Sequence, residues 1–429
     1  MKELNLHISK RQRWVLIFVM AFLFFMWGLL TNLNLFLYHH FKVIFELNYS
    51  VSTFINLTFF CTYLVVSLQA GRMIKWIGYK KGILVGWLLA CVGCFLFMLS
   101  VMSKSYTWFS DKSYYLFLGA LFCMAAGITI LQVGANLYVV LLGGVEKAAS
   151  RLVFVQAFNS LGAVIGPIIS MEILSHYIKI PFDYLELLPL TDKVMIESAY
   201  IDYLYLFFGI IMVLFAIFLM IIYLPEMDTQ NLEPLNKVTS KRRRHVMHFS
   251  QLRLGAFAIF AYVGAEVALA NYLEDFSPEL ASTYWELAMV GRFLGALLLL
   301  FVPTNKALGM AGAISSLLII VAILMPKEYM DYNCHLIMSV GLFNAIMFPS
   351  IFTLGVNGLG KFSLDGSAVL IMFIVGGAVI PFNVRNFAYA NYDFALVIVV
   401  VCYLYISVYG FKLSNYIKRK DLRDEEILA

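Results

Sequence analysis

The sequence predicts an all-α integral membrane protein, with twelve transmembrane helices arranged as two pseudo-symmetric six-helix bundles. Three observations predict it. Of the 429 residues, 62% are hydrophobic and 13% charged, where an ordinary soluble domain carries roughly 25% charged residues; the mean hydropathy is +0.84. Apolar stretches long enough to cross a bilayer, about 20 residues each, recur along the whole chain. Short motifs of the first half return in the second.

Charges and Gly/Pro breaks place the spans at 14–38, 51–71, 83–103, 113–142, 151–176, 202–224, 251–274, 283–302, 307–325, 333–357, 365–384 and 393–414. The apolar run from Val15 to Tyr38 is too long for the apolar core of a cleaved signal, so the first span is expected to be retained. Of the 31 Lys and Arg, 23 fall in the N-terminal segment, alternate loops and the C-terminal tail. Seven fall in the opposite loops, and Arg292 lies inside a span. The positive-inside bias therefore puts both termini in the cytoplasm. The long inner connection from Pro225 to Ser250 carries Lys241-Arg242-Arg243-Arg244. This run is read as a topology anchor, with anionic lipid head groups as its alternative partner. The expected organisation is an N-terminal bundle over 1–224, a cytoplasmic linker over 225–250, a C-terminal bundle over 251–414 and a tail over 415–429. The net charge of +5 follows from this orientation and is no sign of nucleic-acid binding.

The repeat is legible at three places. LLGGVEKAASR at 141–151, followed by LGAVIGP at 161–167, matches GLGKFSLDGSA at 358–368, followed by GGAVIP at 376–381. The offsets are 217 (Gly143 to Gly360) and 215 (Gly162 to Gly377). WGLLTNLNLFL at 27–37 pairs with VGAEVALANYL at 263–273. Parallel halves of this kind mark a carrier whose site lies between them near the bilayer midplane.

Gly127 to Pro167 is the most informative stretch. It reads as two apolar helices joined by a turn from Gly143 to Ser150. Gln132 and Asn136 are four apart and Gln156 and Asn159 three apart, so each pair lines one helical face. A carboxamide in a bilayer is costly without a partner. Four of them suggest a small, polar, neutral ligand, or else hydrogen bonds that hold spans together. The repeat sets Pro349 and Thr353 against Gln132 and Asn136, so recognition is expected mainly in the first half.

Glu266 is a carboxylate well inside the seventh span, a functional candidate by position. It is read as a ligand-hydroxyl acceptor, a proton-coupling site or a partner of Arg292. Arg292, in MVGRFLG, is assigned to structure or gating, and its flanking glycines form a G-x-x-x-G that lets helices approach. The six cysteines all lie in apolar segments and are read as buried hydrophobes. His39 and His40 are read as solvated residues. No H-x-x-x-H, G-x-S-x-G or paired-acid motif occurs in a span, so neither an enzyme nor a metal or cofactor site is expected.

GRMIKWIGYKKG, Gly71 to Gly82, resembles the cytoplasmic loop motif of the major facilitator superfamily, which helps to hold the two halves together. That resemblance gives Gly71, Arg72 and Gly78 structural roles, although no carboxylate stands around Lys75 where the motif has one. ILQVGANLYVVLLG, ASR, QAFNSLGA, FFMWGLLTNLN, FAYVGAEV and FNAIMFPSIFTLGVNGLGK are similar to the fucose–galactose–glucose permease family of that superfamily. The family carries hexoses or 6-deoxyhexoses, often with a proton and in some branches with sodium. The resemblance implies that Gln132 and Asn159 contact sugar hydroxyls, as do Asn32 and Asn34; a carboxamide both donates and accepts. It also implies a monomer in the plasma membrane, the inner membrane of a bacterium. Leu35 and Gln132 stand where the fucose branch has acids, which puts proton coupling in question. One charge moved with the sugar contributes roughly 2.3 kcal/mol per 100 mV, about 50-fold accumulation. The expected activity is secondary-active or facilitative sugar transport by alternating access. A transport-deficient sugar sensor, or a carrier of another small solute, is the alternative.

Overall fold

A computed structural model describes residues 9–36, 45, 49–104, 112–177, 189–227, 245–388 and 392–414. Among the described residues there is no strand. The helices are α1 (Lys10–Phe36), α2 (Tyr49–Ile77), α3 (Tyr79–Lys104), α4 (Ser113–Leu141), α5 (Ala148–Tyr177), α6 (Leu190–Ile221) and α7 (Ser250–Phe276). They continue as α8 (Pro278–Leu298), α9 (Thr304–Leu324), α10 (Met330–Asn344), α11 (Met347–Val356), α12 (Ser363–Met372), α13 (Gly376–Ala388) and α14 (Tyr392–Val408). Eleven segments among the described residues are long and apolar enough to cross a membrane. The eighth predicted span, most of which lies in α8, is not among them, and it carries Glu286 and Arg292.

The tenth and eleventh predicted spans are each interrupted. The break between α10 and α11 falls at Ala345–Ile346, four residues before Pro349. Proline has no N–H to donate, and its ring crowds the carbonyl four residues back. The eleventh span passes through a 3-10 turn at Phe373–Val375 before α13 starts at Gly376. The connection between α2 and α3 is tighter than expected: Gly71 to Ile77 is still helical, and the chain turns at Gly78, with φ +89°. Only glycine adopts that conformation cheaply.

Apolar helix faces meet inside the bundle and turn outward elsewhere. On α1, Trp14, Phe18 and Phe22 recur every four residues and are exposed, as expected of a lipid-facing stripe. Trp87 of α3 is fully buried, packs edge-on against Phe215 at 4.8 Å, and donates its indole N–H to the Met212 carbonyl at 2.9 Å. That bond satisfies the one polar atom of a large apolar side chain. Helices α1 and α5 cross closely. A Cβ on Gly28 would sit 1.9 Å from the Asn159 carbonyl oxygen, and one on Gly162 would sit 2.1 Å from that of Phe25. Within α8, Gly291 and Gly295 admit Leu342 and Ile346 in the same way, so the predicted G-x-x-x-G is a helix-packing seam.

Candidate functional site

The hydrogen bonds described between the first six helices and the last eight lie toward one end of the bundle. This is the end bearing Gly78 and the α4–α5 turn. There Lys75 of α2 donates to Asp365 of α12 at 2.5 Å, while Gly71, one turn earlier, lets α2 approach Ala368. Ser367 donates to the Val133 carbonyl at 2.7 Å, and Ser150 donates to that of Ala296 at 2.6 Å. Deeper along α5, Arg292 of α8 donates through Nη1 to the Gln156 carbonyl at 3.3 Å and to the Ser160 hydroxyl. A cavity of about 10 Å³, lined by Leu137, Val140, Thr353 and Asn357 among others, is the void described in this region. It has room for one water. A hexose does not fit in that void, and the hydrogen bonds between the halves hold this end together.

The loop motif works through residues that its sequence does not contain. Glu226, just after α6, accepts from the backbone N–H of Tyr79 at 2.7 Å and of Lys80 at 3.2 Å, capping the start of α3. An acidic group at a helix N-terminus is favourable. The carboxylate missing beside Lys75 is therefore supplied from two distant places, Asp365 and Glu226. Asp365, in the first turn of α12, is both a favourable charge at a helix start and the partner of Lys75. Arg72 is exposed. Arg151 caps the C-terminus of α4, donating to the carbonyls of Gly144 and Val140 at 2.9 Å and of Gly143 at 3.1 Å.

The four amides separate into two kinds. Asn136 is fully buried and accepts from Gln156 Nε2 at 3.3 Å, so these two meet each other across α4 and α5. Gln132 and Asn159 are half-buried. Gln132 Nε2 donates to the Tyr63 hydroxyl at 3.0 Å, and Asn159 Nδ2 donates to the Phe24 carbonyl at 3.0 Å. Tyr63 is braced edge-on by Phe59 at 5.6 Å. Asn32, Asn34 and Leu35 belong to the last turns of α1, but their side chains lie outside the described residues, as do His39 and His40 altogether. Trp27 is buried and packs against Phe24 at 4.9 Å.

In the second half, Glu266 is buried, 8% exposed, and accepts from the Tyr262 hydroxyl at 2.6 Å. Its main-chain carbonyl accepts from the Tyr284 hydroxyl at 3.2 Å, which in turn accepts from Asn344 Nδ2 at 2.6 Å. Among the described residues, Glu266 forms no ion pair with Arg292 within 4.0 Å. Tyr63, Tyr262 and Tyr284 carry no distinguishing sequence signal in a chain with 25 tyrosines. Tyr262, one helical turn before Glu266, was nevertheless within reach of an i,i+4 argument.

A helical membrane bundle of this kind, tied at one end by contacts between its halves, has the architecture of a multi-pass carrier. The family model described as Major Facilitator Superfamily matches residues 14–383. The glucose/galactose transporter of Brucella abortus is 37% identical over 91% of this chain and 92% of its own length. A solved variant of the Escherichia coli fucose:proton symporter FucP is 25% identical, with a TM-score of 0.77 over 92% of this chain and 98% of that one. The structure of FucP in the outward conformation is 27% identical, with a TM-score of 0.76 over 92% and 97%. The chain belongs to the Major Facilitator Superfamily and, within it, to the fucose–galactose–glucose permease family. It is an integral membrane transporter and not an enzyme.

Proposed function

We propose that the chain carries a neutral hexose or deoxyhexose of the glucose, galactose or fucose type across a bacterial inner membrane by alternating access. The moving bodies are the bundles at 1–224 and 251–414, joined by the linker at 225–250, with the tail at 415–429 and both termini in the cytoplasm. The basic residues cluster on the side that this orientation makes cytoplasmic, so the end tied by the inter-half hydrogen bonds faces inward, and the carrier works as a monomer.

The observation that carries the sugar reading is the pair of half-buried amides, Gln132 and Asn159, held by Tyr63 and by the Phe24 carbonyl. Each is anchored through one N–H and keeps its carbonyl oxygen for a hydroxyl. Asn136 and Gln156 stand behind them and fix the facing of α4 and α5. The family resemblance adds Asn32 and Asn34 as further candidate sugar contacts. The similarity to a glucose/galactose transporter over nine-tenths of both chains supports the same substrate class.

The test is uptake and counterflow of labelled glucose, galactose and fucose in proteoliposomes, with pH and sodium varied independently. One of these sugars is expected to exchange. Gln132→Ala and Asn159→Ala are each expected to weaken its apparent affinity at least tenfold. Binding without counterflow would instead identify a sensor, and exchange indifferent to both substitutions would move the site elsewhere.

A further inference from the structure

We infer that Glu266 is the group that carries a coupled proton, and that Arg292 forces the proton off when α5 and α8 part. The inference rests on the transport reading above and deepens it. The two positions that are acidic in the fucose branch are Leu35 and Gln132 here, and neither side chain can load or release a proton. If coupling exists, the carboxylate lies elsewhere.

Glu266 sits in the interior of α7, and the hydrogen bond described at its carboxylate is the one from Tyr262. A buried carboxylate held by a single neutral donor is costly as an anion, and a proton removes that charge. Among the described residues, the titratable groups acting on it are Tyr262 of its own helix, Tyr284 and Arg292 of α8, and Tyr403 of α14. Helix α10 contributes the uncharged Asn344; of the charges on α12 and α13, Asp365 is paired with Lys75 and Arg385 lies in the last turn of α13, and neither acts on Glu266. Arg292 is therefore the one counter-charge within electrostatic reach, and with the inner end tied it is engaged elsewhere. Its Nη1 is bound to the Gln156 carbonyl and to Ser160 on α5, and its buried Nε has no partner.

These contacts couple the proton to the motion. With the inner end tied, α5 holds Arg292, and Glu266 takes a proton from water on the open side to become a neutral carboxylic acid. When the halves rock and α5 leaves α8, Arg292 loses the Ser160 and Gln156 acceptors. The guanidinium then turns to Glu266 and pairs with it as the carboxylate, and the proton leaves to water on the newly opened side. One proton enters and one leaves per cycle.

The experiment uses the full-length carrier in proteoliposomes with a sugar that the wild type exchanges. Wild type is expected to take up protons with sugar, read as alkalinisation of the unbuffered outer medium. It should also accumulate sugar about tenfold per pH unit of inward gradient for one proton per sugar, with choline in place of sodium. Glu266→Gln is expected to keep counterflow while accumulation falls to equilibrium and alkalinisation disappears; Glu266→Asp, which keeps a carboxyl, is expected to restore alkalinisation. Accumulation by Glu266→Gln equal to wild type overturns the inference. So does loss of counterflow in both variants, which makes Glu266 a sugar contact or a structural group. Coupling that follows sodium, or wild-type exchange without proton movement, overturns it while leaving the transport reading standing. If no sugar exchanges in wild type, the transport reading fails and this inference fails with it.

Discussion

Lys75 and Asp365, 290 positions apart in sequence, form a 2.5 Å ion pair that ties α2 to α12 across the two halves. Both side chains are about one-third exposed, at 33% and 29%, so solvent screens the pair. Its worth is about 1 kcal/mol, a roughly fivefold bias toward keeping this end closed. Reversing one charge leaves two like charges at the end of α2. Lys75→Glu is expected to raise amide hydrogen exchange in 71–77 and 363–368, and the Lys75→Glu/Asp365→Lys swap to return it toward wild type. No rescue in the swap removes the lock.

Glu226 holds the α2–α3 turn from outside it. Glu226→Ala leaves the Tyr79 and Lys80 amides without their carboxylate. The expected cost is about 1–2 kcal/mol, the scale of a lost N-cap. Gly78→Ala adds strain at φ +89° and places a Cβ 2.7 Å from the same carboxylate. Both variants are expected to melt several degrees lower in detergent, with Gly78→Ala the worse.

Arg151 is the C-terminal cap of α4: its fork reaches the Val140 carbonyl of the last helical turn and those of Gly143 and Gly144 just beyond it. Arg151→Lys keeps the charge but replaces a planar fork by a single ammonium. The expected loss is about 2 kcal/mol, and Arg151→Met is expected to lose more. A thermal-shift series of the three proteins checks the order.

Two glycine substitutions separate packing from propensity. Gly28→Ala drives a methyl to within 1.9 Å of the Asn159 carbonyl oxygen, pushing α1 off α5. Because the clash is with backbone, folded protein is expected to be lost on size-exclusion chromatography. At Gly119 a Cβ meets nothing within 4 Å. Gly119→Ala is expected to be neutral or to stabilise by up to about 1 kcal/mol, the helix-propensity difference.

Eleven of the twelve spans and the family were legible because each rests on local pattern: apolar length for the spans, and long unusual strings such as QAFNSLGA for the family. The break before Pro349 was equally legible from proline chemistry, although the sequence reading ran straight through it. Partners were not legible, because they depend on which helices face each other. Asn136 and Gln156 were expected to line a face, and they do, but they face one another. The missing loop carboxylate looked like a loss until Asp365 and Glu226 arrived from 290 and roughly 150 residues away.

Ser150 and Ser367 stand at equivalent places in the internal repeat, 217 residues apart, and each gives its hydroxyl proton to a carbonyl in the opposite half. Neither bond involves an ionised group. Ionic strength and membrane voltage, which act directly on Lys75 and Asp365, therefore have little hold on this pair. The closed end has a charge-free component that stays constant while the cell's electrical state fluctuates. Idle opening is opposed even in a depolarised cell.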